Sequence, residues 1–196
     1  IAMTKNTINA MKKLSLEIGK KDINTVIIIS PHGTIYPDRM NVAYGGEFSG
    51  DFSQFGLDAV KFDFSADDEM AQEIVDASDD DGIMTNSYTE NEVLDHGVLV
   101  PMYYLREHLQ EDVKIIPINY SMLSAATHFS FGQIIGQIAN SERFRQKNIA
   151  IIASGDMSHR LFNDIDSEFD NAGKSFDKRI VSDIKENNIL NNLEYD

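Results

Sequence analysis

The chain has 196 residues, enough for one domain with a full core. Its net charge of −15 argues against a nucleic-acid backbone or an anionic membrane as partner, because both call for a basic face. It has no cysteine, which excludes disulfides and thiolate metal sites and leaves His, Asp and Glu as the only strong metal ligands.

No apolar run approaches the roughly 18 to 20 residues that a membrane span requires. No leader peptide is visible, and the expected location is cytoplasmic. The sequence opens at Ile1 rather than Met, almost directly into a helix, and residues 188–196 bring no closing element. The expectation is a single domain over 1–196 that lacks its native N-terminal strand and its C-terminal part.

Residues 4–20 predict an amphipathic helix with Ile8, Met11, Leu14 and Ile18 on one stripe and Lys5, Lys12 and Lys13 off it. Thr4 or Asn6 is placed to cap it. Residues 25–30 follow as a strand, and the β-branched run Val26 to Ile29 reads as buried on both faces. Pro31 ends the ladder, and Gly33 is expected to let the backbone turn. His32 is thereby held at the carboxyl end of a central strand, the edge where open α/β sheets bind ligands. Two readings of it stand: a histidine that bonds its own loop, or a metal ligand or acid/base group.

Residues 33–56 read as a long irregular segment with a short strand over 40–44. Alternation over 60–64 predicts a strand with one wet face. Residues 67–77 predict a helix with Met70, Ile74 and Val75 inward and acidic residues at its start. The run Asp79-Asp80-Asp81-Gly82 lacks the ligands of an EF-hand loop, with Ala77 and Tyr88 where acidic residues are needed, and reads as a solvated turn.

Pro101 is tolerated only near a helix start, which predicts a helix from about Val98 to His108 or Leu109. Asp95, His96 and Gly97 then stand at its positive end, where free N–H groups favour an anion and a neutral imidazole. The plainer reading is a capping Asp95 with an incidental histidine. Residues 113–119 predict a strand, and 124–141 a helix bearing Phe131, Ile134, Ile135 and Ile138. His108 and His128 read as ordinary surface or packing histidines. Residues 148–154 predict another buried strand, running into Gly155-Asp156-Met157-Ser158-His159, and residues 173–185 a final helix. Strands alternating with helices indicate an α/β domain with a mostly parallel sheet covered by helices.

Several familiar sites are excluded. Ala172-Gly173-Lys174-Ser175 would need a glycine at 168 to be a phosphate loop, and Glu168 stands there. There is no dinucleotide fingerprint, no serine-nucleophile elbow and no H-E-x-x-H pair. What remains is His32, His96 and His159, each beside a glycine or a sheet edge, with Asp95 and Asp156 next to two of them. Convergence of the three would suit a metal with a proton-transferring partner, though spacing alone does not bring them together.

Ser30-Pro31-His32-Gly33, the segment Gly50 to Gly56, the segment Asp95 to Pro101 and Gly155 to His159, in this order, resemble the LigB superfamily, the catalytic subunits of class III extradiol ring-cleavage dioxygenases. The match is to the AmmeMemoRadiSam-associated branch, often fused to an AMMECR domain. The resemblance implies a non-haem Fe(II) held by two histidines and a glutamate, with His32 as one metal ligand. It implies that His96 places the substrate, that His159 is the acid/base, and that Asp156 joins His96 in binding substrate. The other histidine and the glutamate find no match in this chain; Fe(II) is the cofactor the resemblance implies, with its absence or replacement by Zn as the alternative here. The implied substrate is a small aromatic diol, and the implied assembly a homodimer. The alternatives are a metal-dependent hydrolase on the same scaffold, or a non-catalytic partner protein that kept the fold.

Overall fold

The computed structural model of the chain describes residues 4–86, 93–162, 168–188 and 190. The acidic stretch 163–167, Glu92 and the tail 191–196 lie outside the described residues. The chain divides into two units, Ile1–Ser154 and Gly155–Asp196.

The first unit is an α/β domain around a mostly parallel sheet. Helix α1 (Lys5–Gly19) precedes strands β1 (Thr25–Ser30), β2 (Asn41–Val42), β3 (Glu47–Phe52) and β4 (Leu57–Ala66). Helices α2 (Asp68–Asp80) and α3 (His96–Leu105), strand β5 (Lys114–Asn119), helix α4 (Ala125–Ala139) and strand β6 (Ile149–Ala153) complete it. The strands run in the order β3-β4-β5-β1-β6, with β2 also beside β5. Strand β1 is parallel to both β5 and β6, and β4 is parallel to β5.

Alternation along β1 divides the core. Ile27 faces Met70, Ile74, Phe131 and Ile135 of α2 and α4, while Val26 and Ile28 face Val98, Leu99 and Met102 of α3. Val26, Ile27 and Ile28 are fully buried, as a two-sided central strand requires. Asp67 caps α2 and Ser124 caps α4, each accepting a first-turn N–H through its side chain. Strand β5 carries Pro117 without loss, because its edge changes partner there. Lys114 and Ile115 pair with β4, Ile118 and Asn119 pair with β2, and Pro117 offers only its carbonyl, to Ala43 N–H at 2.9 Å.

Four expectations are corrected. Strand β3 lies in the segment read as irregular; it is polar and contains Gly50, and its antiparallel pairing with β4 makes it a strand. Helix α3 begins at His96, not Val98, because the Asp95 carboxylate caps it there, and Pro101 sits inside the helix. Leu14 is exposed, and Ser15 is buried instead, since α1 turns Ile8, Met11, Ser15 and Ile18 inward and brings Gly19 against His108. Strand β6 is not buried on both faces: Ile151 is 51% exposed, and among the described residues β6 pairs only with β1.

In the second unit, helix α5 (Asn171–Lys185) is capped by Asp170, whose carboxylate accepts the Ala172 N–H. It buries Gly173 and Asp183, while Phe176, Val181 and Ile184 are exposed. No helix among the described residues is long and apolar enough to cross a membrane.

Candidate active site

The site begins where β1 runs out of apolar residues. Ser30 is fully buried at the carboxyl end of the strand. Its hydroxyl donates to Asp95 Oδ1 at 2.6 Å and accepts the His32 N–H at 3.2 Å. The same Asp95 oxygen accepts the Gly97 N–H at 2.6 Å and the Val98 N–H at 3.3 Å. One carboxylate oxygen therefore ties the end of β1 to the start of α3, and the loop that carries His32 and the helix start that carries His96 are fixed by one clamp. This fills the first-turn donors that the sequence reading had left open for an anion: Asp95 itself is the anion they hold.

The clamp brings the two histidines together. Their rings stack with centroids 4.0 Å apart and planes 29° apart. His32 is exposed and His96 half-buried.

Two glycines are required by close approach. A Cβ at Gly97 would lie 2.2 Å from Ser30 Oγ and 2.9 Å from Asp95 Oδ1. A Cβ at Gly33 would lie 2.4 Å from both amide atoms of Asn119. Gly33 is not in the left-handed region, so the turn expected of it is not its role; it makes room for Asn119. The Asn119 amide donates to the Ser30 carbonyl at 3.0 Å and accepts from Asn41 at 2.9 Å. Asn41, Asn119 and Ser30 stand side by side in register on adjacent strands, all buried. This polar row went unread in the sequence; its only signal is that each of two apolar strands ends in a small polar residue.

Beyond His96 a cleft of about 540 Å³ opens between β3, β4 and α3. Phe52, Phe55, Val100, Tyr103 and Tyr104 line it together with His96. The Phe55 ring meets His96 edge-on at 5.5 Å. His96 thus presents one side to His32 and another to an apolar space of small-ligand size.

His159 lies in the second unit. Its Nε2 is 3.2 Å from Asp156 Oδ2, with both side chains exposed. The loop around it is anchored on α5: the Ser158 N–H donates to Asp177 at 2.9 Å, and a Cβ at Gly173 would lie 2.2 Å from Ser158 Oγ. The structure therefore brings His32 and His96 together and pairs His159 with Asp156. His128 is a local brace, with Nδ1 2.9 Å from the Ser124 carbonyl and Nε2 accepting the Ser121 N–H at 3.1 Å. Among the described residues no three His, Asp or Glu side chains are grouped to hold a metal. His32 offers one imidazole suited to an iron of mixed N/O ligation, and the described residues alone do not complete a set.

Comparison with known proteins adds to this geometry. The family model described as the catalytic LigB subunit of aromatic ring-opening dioxygenase matches residues 2–195. Protein CA_C1420 of Clostridium acetobutylicum is 31% identical over 192 residues, which is 94% of this chain and 40% of that protein. The chain thus spans well under half the length of that relative.

Proposed function

Because the chain belongs to the family of the catalytic LigB subunit of aromatic ring-opening dioxygenases, we propose that it serves an extradiol-type ring cleavage of a catechol-like diol. The observation that carries this reading is the stacked His32–His96 pair, clamped by Ser30 and Asp95 at the carboxyl edge of the sheet. In the proposed reaction the carbon–carbon bond beside the diol breaks. Both atoms of dioxygen enter the product, one completing a carboxylic acid and one a carbonyl. The ring supplies all the electrons, so no external reductant is consumed.

His32 would hold Fe(II), together with ligands outside the described residues. A bound Fe(II) would pass electrons between the diol and dioxygen. His96 takes the second role: its ring faces the cleft and orients the diol by its edge. To His159, in the second unit, this reading assigns acid/base work, and Asp156 lies close enough to steady the imidazolium that forms when it takes a proton. We further place the protein in the cytoplasm, in the AmmeMemoRadiSam-associated branch, with an AMMECR domain as its fused or associated partner.

Anaerobic iron reconstitution of the full-length protein, metal analysis, and oxygen uptake with a panel of catechols test this reading. Retained iron with catechol-dependent uptake is the expected result. Zinc retention without uptake, or no uptake with any diol, contradicts it.

A further inference from the structure

The cleft beside His96 has a composition that chooses among diols. Phe52, Phe55, Val100, Tyr103 and Tyr104 present rings and methyl groups, and among the described residues no Asp, Glu, Lys or Arg lines the cleft. Arg106 has its guanidinium 4.7 Å from the Phe62 ring centre and 5.6 Å from that of Tyr103, and it donates to the Lys61 carbonyl at 3.2 Å. Those contacts engage its guanidinium, and it is not among the residues that line the cleft. A carboxylate placed in the cleft would lose water and gain no cation, on a chain whose net charge of −15 already repels it. An alkyl or aryl group placed there would bury apolar surface against Val100, which is 44% exposed, and Phe55, which is 57% exposed. The volume of about 540 Å³ lies in the range of small-ligand sites.

We propose that this cleft is a specificity subsite for an uncharged apolar ring substituent, so that the substrate is an alkyl- or aryl-substituted catechol rather than a catechol carboxylate. The assignment to a catechol rests on the ring-cleavage reading above; the preference of the cleft for an apolar, uncharged group does not. His96, shared by the cleft wall and the histidine stack, links the two: the substituent lies along Phe55 and Val100 with the substrate ring next to His96.

Two measurements on the full-length protein separate the claims. In the first, para-butylphenol and para-hydroxybenzoate, neither of which chelates a metal, are titrated calorimetrically into metal-free protein. Each methylene buried adds a few-fold to affinity, so the phenol is expected to bind at least about tenfold more tightly. Val100→Lys, an exposed substitution, is expected to erase that preference, and Leu57→Lys on the facing strand to weaken it. Equal or weaker binding of the phenol, or a preference indifferent to Val100→Lys, overturns the proposal. So does a dimer that Val100→Lys dissociates, found by sedimentation without any phenol binding.

In the second, iron-loaded protein consumes oxygen with para-butylcatechol and with a catechol carrying a ring carboxylate. A kcat/KM at least about tenfold higher for the butyl compound is expected, and the reverse order overturns the proposal. If no catechol supports uptake while the phenol preference and its loss in Val100→Lys persist, the ring-cleavage reading fails and the selectivity of the cleft stands.

Discussion

Gly97 has no room for a side chain, and the reason lies 67 positions earlier in the chain. Its missing Cβ is what lets Ser30 Oγ reach Asp95. Gly97→Ala would force that hydroxyl aside and break the clamp, and it is expected to lower unfolding free energy by about 1–3 kcal/mol. Gly136 stands in α4 with nothing within 4 Å of a built Cβ. There Gly136→Ala is expected to raise stability by up to about 1 kcal/mol through helix propensity. Urea denaturation of the two variants reads both signs, and a Gly97→Ala protein as stable as the parent would contradict the clamp. Asp95 as a cap was legible, because an acidic residue preceding an apolar run is a local signal. The Gly97–Ser30 contact was not, because it joins two elements that no local pattern connects. The same holds for Asn119, whose amide fixes Gly33 and Ser30 from a neighbouring strand.

At the level of elements, apolar strands and amphipathic helices were legible wherever the packing they need is reflected in spacing. Strand β1, helix α2 and helix α4 lie where their periodicity puts them. Strand β3 was hidden, because its pairing with β4, not its composition, makes it a strand. That β6 pairs only with β1 among the described residues was hidden too, since an apolar run reads alike at an edge and in the middle of a sheet. One junction ties three elements together: Asp67, 1% exposed at the start of α2, accepts from Thr25 of β1 at 2.5 Å and from Lys147 before β6 at 2.7 Å. Burial alone would raise the Asp67 pKa. The Lys147 ammonium and the Thr25 hydroxyl outweigh it, and the pKa lies below the usual carboxylate value. A group depressed in the folded state contributes stability above its unfolded pKa and loses it as pH falls through the folded one. Stability should therefore decline on acidification below the ordinary carboxylate range. Lys147→Met removes the compensation. It is expected to cost about 3 kcal/mol at neutral pH and to shrink the loss on acidification, because the Asp67 carboxyl then has less of a lowered pKa to lose. Urea midpoints across pH check this, and parallel profiles for the two proteins would contradict it.

At the scale of the whole molecule, the alternation of strand and helix indicated the α/β class, and the family match and the observed sheet agree with it. The site was legible in part. Each histidine was singled out by what surrounds it in sequence, and the structure pairs His32 with His96 and His159 with Asp156. The direct face-to-face stack of the first pair was not legible, because it depends on one carboxylate oxygen that bridges β1 and α3. The central claim is that this pair is the reacting site of a ring-opening oxygenase. Its most direct test is catechol-dependent oxygen uptake by iron-reconstituted full-length protein, wild type beside His32→Ala, with folding checked by circular dichroism. The account predicts uptake by the wild type and a loss of at least about a hundredfold, together with loss of bound iron, in a folded His32→Ala protein. Uptake by His32→Ala at the wild-type rate would contradict it.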